Sequence, residues 1–421
     1  MLHINDIRKN KDTYASLLKS KNIEAVDLFD LVLDLDEERK KTQHLADQLL
    51  AKGNILSNKI GELFKEGNQQ EAIILKEESL LNKDEAKKLN AKKIGLEKKI
   101  RDVLVQIPNI PHSSVPIGSS ASDNQIIRQS GRIPNLMRDS KPHWELASKY
   151  NLIDFELGNK IAGSGFPVYI DKGAKLQRAL INYFLYKNIE AGYVEYLPPH
   201  LVNQKSGFGT GNLPDKDGQM YHVVEDDLYL IPTAEVPVTN LFRDVIVEDF
   251  PVMCTSYTPC FRREAGSYGK DVRGLNRLHQ FDKVEIVQIQ HPERSYNTLD
   301  EMVSHVASIL DELGLPYRVL KLCGGDLSFT AALTFDFEVY SAAQEKWLEV
   351  SSVSNFESYQ ANRLNLRYRS DDGKTRLCHT LNGSALALPR IYAALIENNQ
   401  TSDGLIIPEV LRPYTGFDII D

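Results

Sequence analysis

Between residues 28 and 63 a mostly apolar stripe, with a few polar defects, steps by four and three: Leu28, Val32, Leu35, Arg39, Thr42, Ala46, Leu49, Gly53, Leu56, Ile60 and Leu63. That spacing keeps one stripe of a helix facing a partner helix. Glu66-Gly67-Asn68-Gln69 interrupts the stripe as a turn. A second stripe follows at Ala72, Leu75, Ser79, Asn82, Ala86, Leu89, Lys93, Leu96, Ile100 and Val103. Two helices of similar length joined by a short turn pair with each other as an antiparallel hairpin, a coiled-coil arm. With about 35 residues per helix it would reach roughly 50 Å. A dimerisation coil or a compact bundle would show the same stripes, but the short turn favours self-pairing.

Beyond residue 107 the pattern changes. Residues 108–142 are rich in Pro, Ser, Gly and Asn and read as a linker. Residues 174–190 are amphipathic and helical in period. Short runs at 228–231, 282–290, 332–340 and 347–353 have strand character. They lack regular βαβ alternation. The expected architecture is therefore α+β, an antiparallel β-sheet flanked by helices. The domains read as 1–107 (arm), 108–142 (linker) and 143–421 (sheet domain). No internal repeat is evident.

Composition narrows the function classes. The chain has 421 residues, 42% hydrophobic and 26% charged, with a net charge of −8. No apolar run is long enough to span a bilayer and no signal segment is evident, so a cytoplasmic protein is expected. The acidic balance argues against nucleic-acid binding by the whole surface. Lys83 to Arg101, however, holds eight Lys or Arg against three Asp or Glu. Such a basic helix on an acidic body can bind phosphates locally; charge alone would equally fit a solvated face. Cys254, Cys260, Cys323 and Cys378 form no CxxC pair, so buried thiols are expected. The histidines show no HExxH spacing. Gly163-Ser-Gly165 and Gly207 to Gly211 lack a phosphate-loop pattern and read as turns.

The densest chemistry lies in Phe261-Arg262-Arg263-Glu264-Ala265-Gly266-Ser267 and His279-Gln280-Phe281-Asp282-Lys283-Val284-Glu285. The pattern reads as strand, glycine-rich loop (Gly266, Gly269, Gly274, with Lys270, Arg273 and Arg277) and strand. A side-chain period of two puts Arg262 with Glu264 on one face and Phe281 with Glu285 on another. A guanidinium, carboxylates and a flat ring suit an adenine nucleotide.

This segment resembles motif 2 of the class II aminoacyl-tRNA synthetases. Gly192 to Pro199 after its helix resembles motif 1, and Asn382-Gly383-Ser384 through Pro389-Arg390 resembles motif 3. With the arm, the whole chain resembles the bacterial-type seryl-tRNA synthetases. The resemblance implies ATP-dependent activation of L-serine to seryl-adenylate, then transfer to the 3′ end of tRNA(Ser) and of tRNA(Sec) where that exists. It implies a homodimer, the arm of one subunit serving tRNA at the other's site, and Mg²⁺. It assigns catalysis to Arg262 and Arg390. ATP contacts fall to Arg262, Arg263, Glu264, Leu278, Phe281, Glu349, Val350, Ser351, Ser352 and Arg390. Serine contacts fall to Thr233, Ala234, Glu235, Arg262, Glu285, Asn382 and Ser384, and metal ligation to Glu349 and Ser352. Arg263 stands where the family usually has Ser, on the opposite strand face. Thr233 and Glu235 are expected on one strand face. Ser384 could cap a helix, with Pro389 forcing that helix to start late or bend. Glu349 and Ser352 would share a face only with a bulge. A serine-activating relative that loads a carrier protein is the alternative; a non-enzymatic coiled-coil adaptor explains the arm alone.

Overall fold

The computed structural model describes residues 1–215, 217–264 and 273–421. Gly266, Gly269 and Lys270 of the expected glycine-rich loop lie outside the described residues. The chain divides into two compact units: Leu2–Lys19 with Ile23–Pro108, and Met1 with Ser20–Asn22 and Asn109–Asp421.

The first unit is helical. Helix α1 (Ile4–Leu18) precedes α2 (Val26–Lys65, 40 residues) and α3 (Gln69–Leu104, 36 residues). At ~1.5 Å per residue, α2 is about 60 Å long. Its end shows why the chain reverses there. Gly67 takes a φ of +81°, and the N–H groups of Gly67 and Asn68 return to the carbonyls of Phe64 and Leu63. This closes the helix as a Schellman motif, in which glycine is the favoured left-handed residue.

The stripe on α3 has the expected register. Ala72, Asn82, Ala86, Leu96, Ile100 and Val103 are all buried. On α2 the register holds at Val32 and from Thr42 onward, but Phe29 and Asp36 are the buried positions rather than Leu28 and Leu35. A carboxylate can occupy the seam because Arg8, Arg39 and Lys40 reach it at 2.6, 2.7 and 3.1 Å. Burial alone would raise its pKa; the hydrogen bonds from these cations prevail and hold it at about 2. A second polar seam residue, Asn82, donates from Nδ2 to the carbonyl of Leu49 at 2.6 Å. Gly53 leaves room for it: a Cβ there would lie 3.3 Å from that nitrogen.

The second unit is built on an eight-stranded sheet. Its strands are β1 (Gln125–Ser130), β2 (Val194–Glu195), β3 (Val252–Phe261), β4 (Gln280–Gln290), β5 (Tyr317–Lys321), β6 (Leu333–Ser341), β7 (Lys346–Asn355) and β8 (His379–Ala387). Their spatial order is β1-β5-β6-β7-β8-β4-β3-β2. Every pairing is antiparallel except the short parallel β2–β3 contact at one edge. The stretch expected as a linker therefore also supplies an edge strand.

Helices α4 (Asp171–Glu190), α5 (Ser295–Glu312) and α6 (Leu388–Asn398) pack on this sheet. The core between them holds Leu180, Phe184, Leu299, Val306, Phe337, Val353, Ile391 and Leu395, none more than 1% exposed. Alternation along β6 shows how the sheet separates core from site: Phe335 and Phe337 face the helices, whereas Asp336 and Glu338 face away. The four cysteines are free and buried. Among the described residues no helix is long and apolar enough to cross a membrane.

Candidate active site

A cavity of about 560 Å³ opens on the face of the sheet away from the helical core. Strand pairing brings its walls together. Strand β4 runs beside β8, which sets Glu285 opposite Ser384, and beside β3, which sets Phe281 opposite Cys260. Strand β7 pairs with β8 so that Ser354 faces Asn382. The cavity collects Thr233, Glu235, Arg262, Glu264, Leu278, Phe281, Glu285, the run 349–352, Asn382, Ser384 and Arg390. These residues lie up to 157 positions apart in the sequence, between Thr233 and Arg390.

Two expected residues lie elsewhere. Arg263 is exposed and outside the cavity, its N–H bonded to the carbonyl of Gln219 at 2.8 Å. Ala234 is buried against Val238, Cys254 and Val287 and lends the cavity no side chain.

Several local expectations need correction. Strand β3 ends at Phe261, so Arg262 and Glu264 do not share a strand face; Glu264 has a φ of +47° beyond the strand end. They reach the cavity because the chain turns there. Arg262 donates from Nε to the carbonyl of Pro232 at 3.3 Å, and its guanidinium lies 5.2 Å from the centre of the Phe281 ring. Glu264 pairs with Arg277.

Thr233 and Glu235 are likewise not strand residues. Glu235 opens a short helix, Glu235–Asn240, and its N–H donates to Thr233 Oγ1 at 3.2 Å. Ser384 caps no helix; it lies in β8. Helix α6 begins later, at Leu388, with Pro389 in its first turn. There the missing N–H has no intrahelical partner to lose. Arg390 follows at once, donating from Nε to Asn276 O at 3.1 Å and from Nη1 to Glu349 O at 2.8 Å. Residues 207–210 are not a turn: they lie in the helix Gln204–Thr210, capped by the Asn203 side chain, and Thr210 and Gly211 line the cavity.

The bulge required at 349–352 is present. Phe337 pairs with Ser351 and Glu338 with Glu349, leaving Val350 as the extra residue. Asp336 and Glu338 lie two apart on one face; their partners Ser352 and Glu349, three apart, are brought to that same face. Ser352 hydrogen-bonds the Asp336 carboxyl, whose buried Oδ1 has no partner among the described residues. Burial, and then the charge of Glu349, raise the pKa of Asp336. Two oxygen donors with a spare buried carboxyl oxygen alongside suit a hard cation that keeps most of its shell for phosphate and water.

Sequence reasoning missed Lys283. Its Nζ lies 2.5 Å from Glu285 Oε2 and donates to Thr233 Oγ1 at 2.8 Å, all three groups being buried. The period-two relation between Phe281 and Glu285 already placed it on this face. Glu235 completes the polar end, accepting from Gln360 Nε2 at 2.6 Å. Burial first, and the neighbouring charge of Glu285 second, push its pKa up to about 7.

Comparison with known proteins gives a consistent result. Residues 221–399 match the tRNA synthetase class II core domain (G, H, P, S and T), and residues 1–111 match the seryl-tRNA synthetase N-terminal domain. The chain is 50% identical to the serine–tRNA ligase of Salinibacter ruber, covering 99% of this chain and 98% of that one. It is 46% identical to the serine–tRNA ligase of Chlorobaculum parvum, covering both chains completely. Among solved structures, the seryl-tRNA synthetase of Pyrococcus horikoshii complexed with ATP superposes with a TM-score of 0.91 at 34% identity, covering 100% of this chain and 99% of that one.

Proposed function

The chain belongs to the seryl-tRNA synthetase family, and from that membership we propose that it activates L-serine with ATP and transfers the seryl group to the 3′ end of tRNA(Ser). The observation that carries this reading is the convergence of Arg262, Glu285 and Arg390 on one cavity. In the first step a serine carboxylate oxygen bonds to the α-phosphorus, the bond to the bridging oxygen breaks, and diphosphate leaves. In the second, a terminal ribose hydroxyl of tRNA attacks the adenylate carbonyl and AMP departs.

Negative charge gathers on phosphoryl oxygens during activation, so fixed positive charge is the main requirement. Arg262 meets it at the α-phosphate and the serine carboxylate, Arg390 at the outer phosphates. Phe281 stacks on the adenine, with Glu264 accepting from its exocyclic amine. Glu235 and Thr233 take the serine ammonium, and Glu285 with Ser384 takes the hydroxyl. Alanine would leave those last groups without a partner, which disfavours it strongly. Glu349 and Ser352 would hold Mg²⁺, which when bound neutralises phosphate charge.

Residues 1–107 form the tRNA-binding arm and 143–421 the catalytic domain, joined through 108–142. The basic run on α3 suits backbone and shape recognition of RNA, which extends the proposal to tRNA(Sec). Val194 and Leu197 at the β2 edge, 57% and 80% exposed, support a homodimer there. The protein is assigned to the cytoplasm.

The test is serine-dependent exchange of pyrophosphate into ATP, followed by charging of tRNA. Exchange without serine, or activation that never reaches tRNA, would overturn the reading. Deleting residues 35–95 should spare exchange and weaken charging.

A further inference from the structure

Outside the cavity lies a buried polar cluster that touches no expected ligand position. It comprises His143, Glu397, Ser341 and Gln344, none of which lines the site. His143 and Glu397 are fully buried. Building on the adenylation reading above, we propose that His143 is a positioning residue that fixes residues 273–276 against the nucleotide end of the cavity, and through them Arg390.

The imidazole is held at both nitrogens. Nε2 accepts from the N–H of Leu275 at 2.8 Å, and Nδ1 lies 2.7 Å from Glu397 Oε1. An accepting Nε2 carries no proton, so the ring is the neutral tautomer with its proton on Nδ1, donated to the carboxylate. Glu397 also accepts from the N–H of His143 at 2.8 Å, from Gln344 Nε2 at 2.9 Å and from Ser341 Oγ. This set of donors aims the imidazole and leaves it little freedom to turn.

Three consecutive residues, Gly274, Leu275 and Asn276, touch the cluster, and Arg273 before them rests on Trp144, the neighbour of His143. The guanidinium of Arg273 lies over the Trp144 ring at 4.8 Å. Gly274 has a φ of +66°, and a Cβ on it would stand 2.3 Å from His143 Nε2, so the backbone presses on the ring as only glycine can. Leu275 is held through its N–H. Asn276 donates to Gln344 Oε1 at 3.1 Å, and its carbonyl accepts from Arg390 Nε at 3.1 Å.

The contacts close a circuit. Arg390 binds Asn276, Asn276 binds Gln344, Gln344 binds Glu397, and Glu397 sits seven residues after Arg390 on α6, two turns along the same face. Leu275, Asn276, Arg277 and Leu278 form cavity wall, beside Phe281 and Glu264. The arrangement couples the wall that meets the nucleotide to the helix that presents Arg390, and it leaves Thr233, Glu235 and Ser384 untouched.

Two isosteres separate positioning from packing. Asn can replace the Nδ1 donor toward Glu397 but cannot reach Leu275; Gln can place an acceptor near the position of Nε2. In serine-dependent pyrophosphate exchange, His143→Asn should raise KM for ATP ~10-fold, the worth of one lost hydrogen bond to a ligand wall. KM for serine should stay within about 2-fold, and His143→Gln should recover most of the ATP affinity. Gln344→Ala, at a half-buried position, cuts the link to Asn276 and should raise KM for ATP several-fold with serine unaffected. Equal ATP constants for the Asn and Gln variants, parallel movement of both substrates, or wild-type behaviour of Gln344→Ala would overturn the proposal. Wild-type protein lacking serine-dependent exchange would instead sink the adenylation reading itself.

Discussion

Lys283 and Glu285, two positions apart on strand β4, form a buried ion pair at 2.5 Å within the wall of the cavity. Both side chains are less than a tenth exposed, so each charge depends on the other. Lys283→Met would leave the carboxylate buried without a counter-charge, a change that costs about 3–5 kcal/mol. The expected outcome is a clear fall in thermal midpoint and a loss of kcat/KM for serine of roughly 100-fold, with KM for ATP little altered. Combining it with Glu285→Gln should restore much of the stability and none of the serine activation. Thermal melts and exchange kinetics on the single and double variants check this, and a wild-type melting curve for Lys283→Met refutes it.

Glu235 supplies a pH dependence. Its folded pKa of about 7 exceeds the unfolded value of 4.5. Below pH ~7 the carboxyl is neutral and cannot pair with an ammonium, so kcat/KM for serine should drop about tenfold per pH unit on the acid side. The stability effect has the opposite sense. Ionisation in the folded state is unfavourable, so this group lowers stability at pH 8 and the penalty disappears as pH falls from about 7 to 4.5. Glu235→Gln should therefore be more stable than wild type at pH 8 by about 1–3 kcal/mol, and melt higher, while abolishing serine activation. Equal melting at pH 8 would remove the buried charge from the explanation.

Arg262 has little structural work to do. Among the described residues its side chain has one hydrogen bond, at 3.3 Å, and the face of Phe281. Arg262→Ala should reduce activation by about 10²–10³-fold, the scale of removing one fixed donor from a site of developing charge. The melting temperature should stay near that of the parent. A large loss of stability with a modest loss of rate would identify a structural residue.

Asp36 tests the arm. Its pKa, about 2 in the fold against 3.8 unfolded, means its contribution is complete above the unfolded value and fades as pH falls through the folded one. Asp36→Asn should cost the arm about 1–3 kcal/mol at pH 7. Amide hydrogen exchange across residues 26–65 should accelerate, and charging of tRNA should weaken while pyrophosphate exchange continues. Unchanged protection of α2 would show that the three surrounding cations contribute little.

The helical stripes were the most legible part of the chain, because a period recurs whatever surrounds it. The exception is instructive: Leu28 and Leu35 looked like seam residues by apolarity, yet Phe29 and Asp36 are buried, since Arg8 lies on another helix and its help to Asp36 cannot be read locally. Residues on regular strand, such as Phe281 and Glu285, were placed on one face correctly. Those beside a chain turn were not, and Glu264 is the case in point, its positive φ being a property of the loop. The bulge at Val350 was demanded by the roles of its neighbours and invisible in their types. His143 and Glu397 lie 254 positions apart, and no spacing rule connects them; only folding does.

The contact of Asn82 with the Leu49 carbonyl has a consequence for measurement of distance. Aliphatic stripes repeat, so two helices bound by them alone can slip one heptad and lose little. An amide that must meet one carbonyl, beside the one glycine that leaves it space, cannot. Slippage would break that hydrogen bond and set the amide against a residue larger than glycine. The paired helices are thereby indexed to one another, and the arm acts as a ruler whose graduations cannot drift.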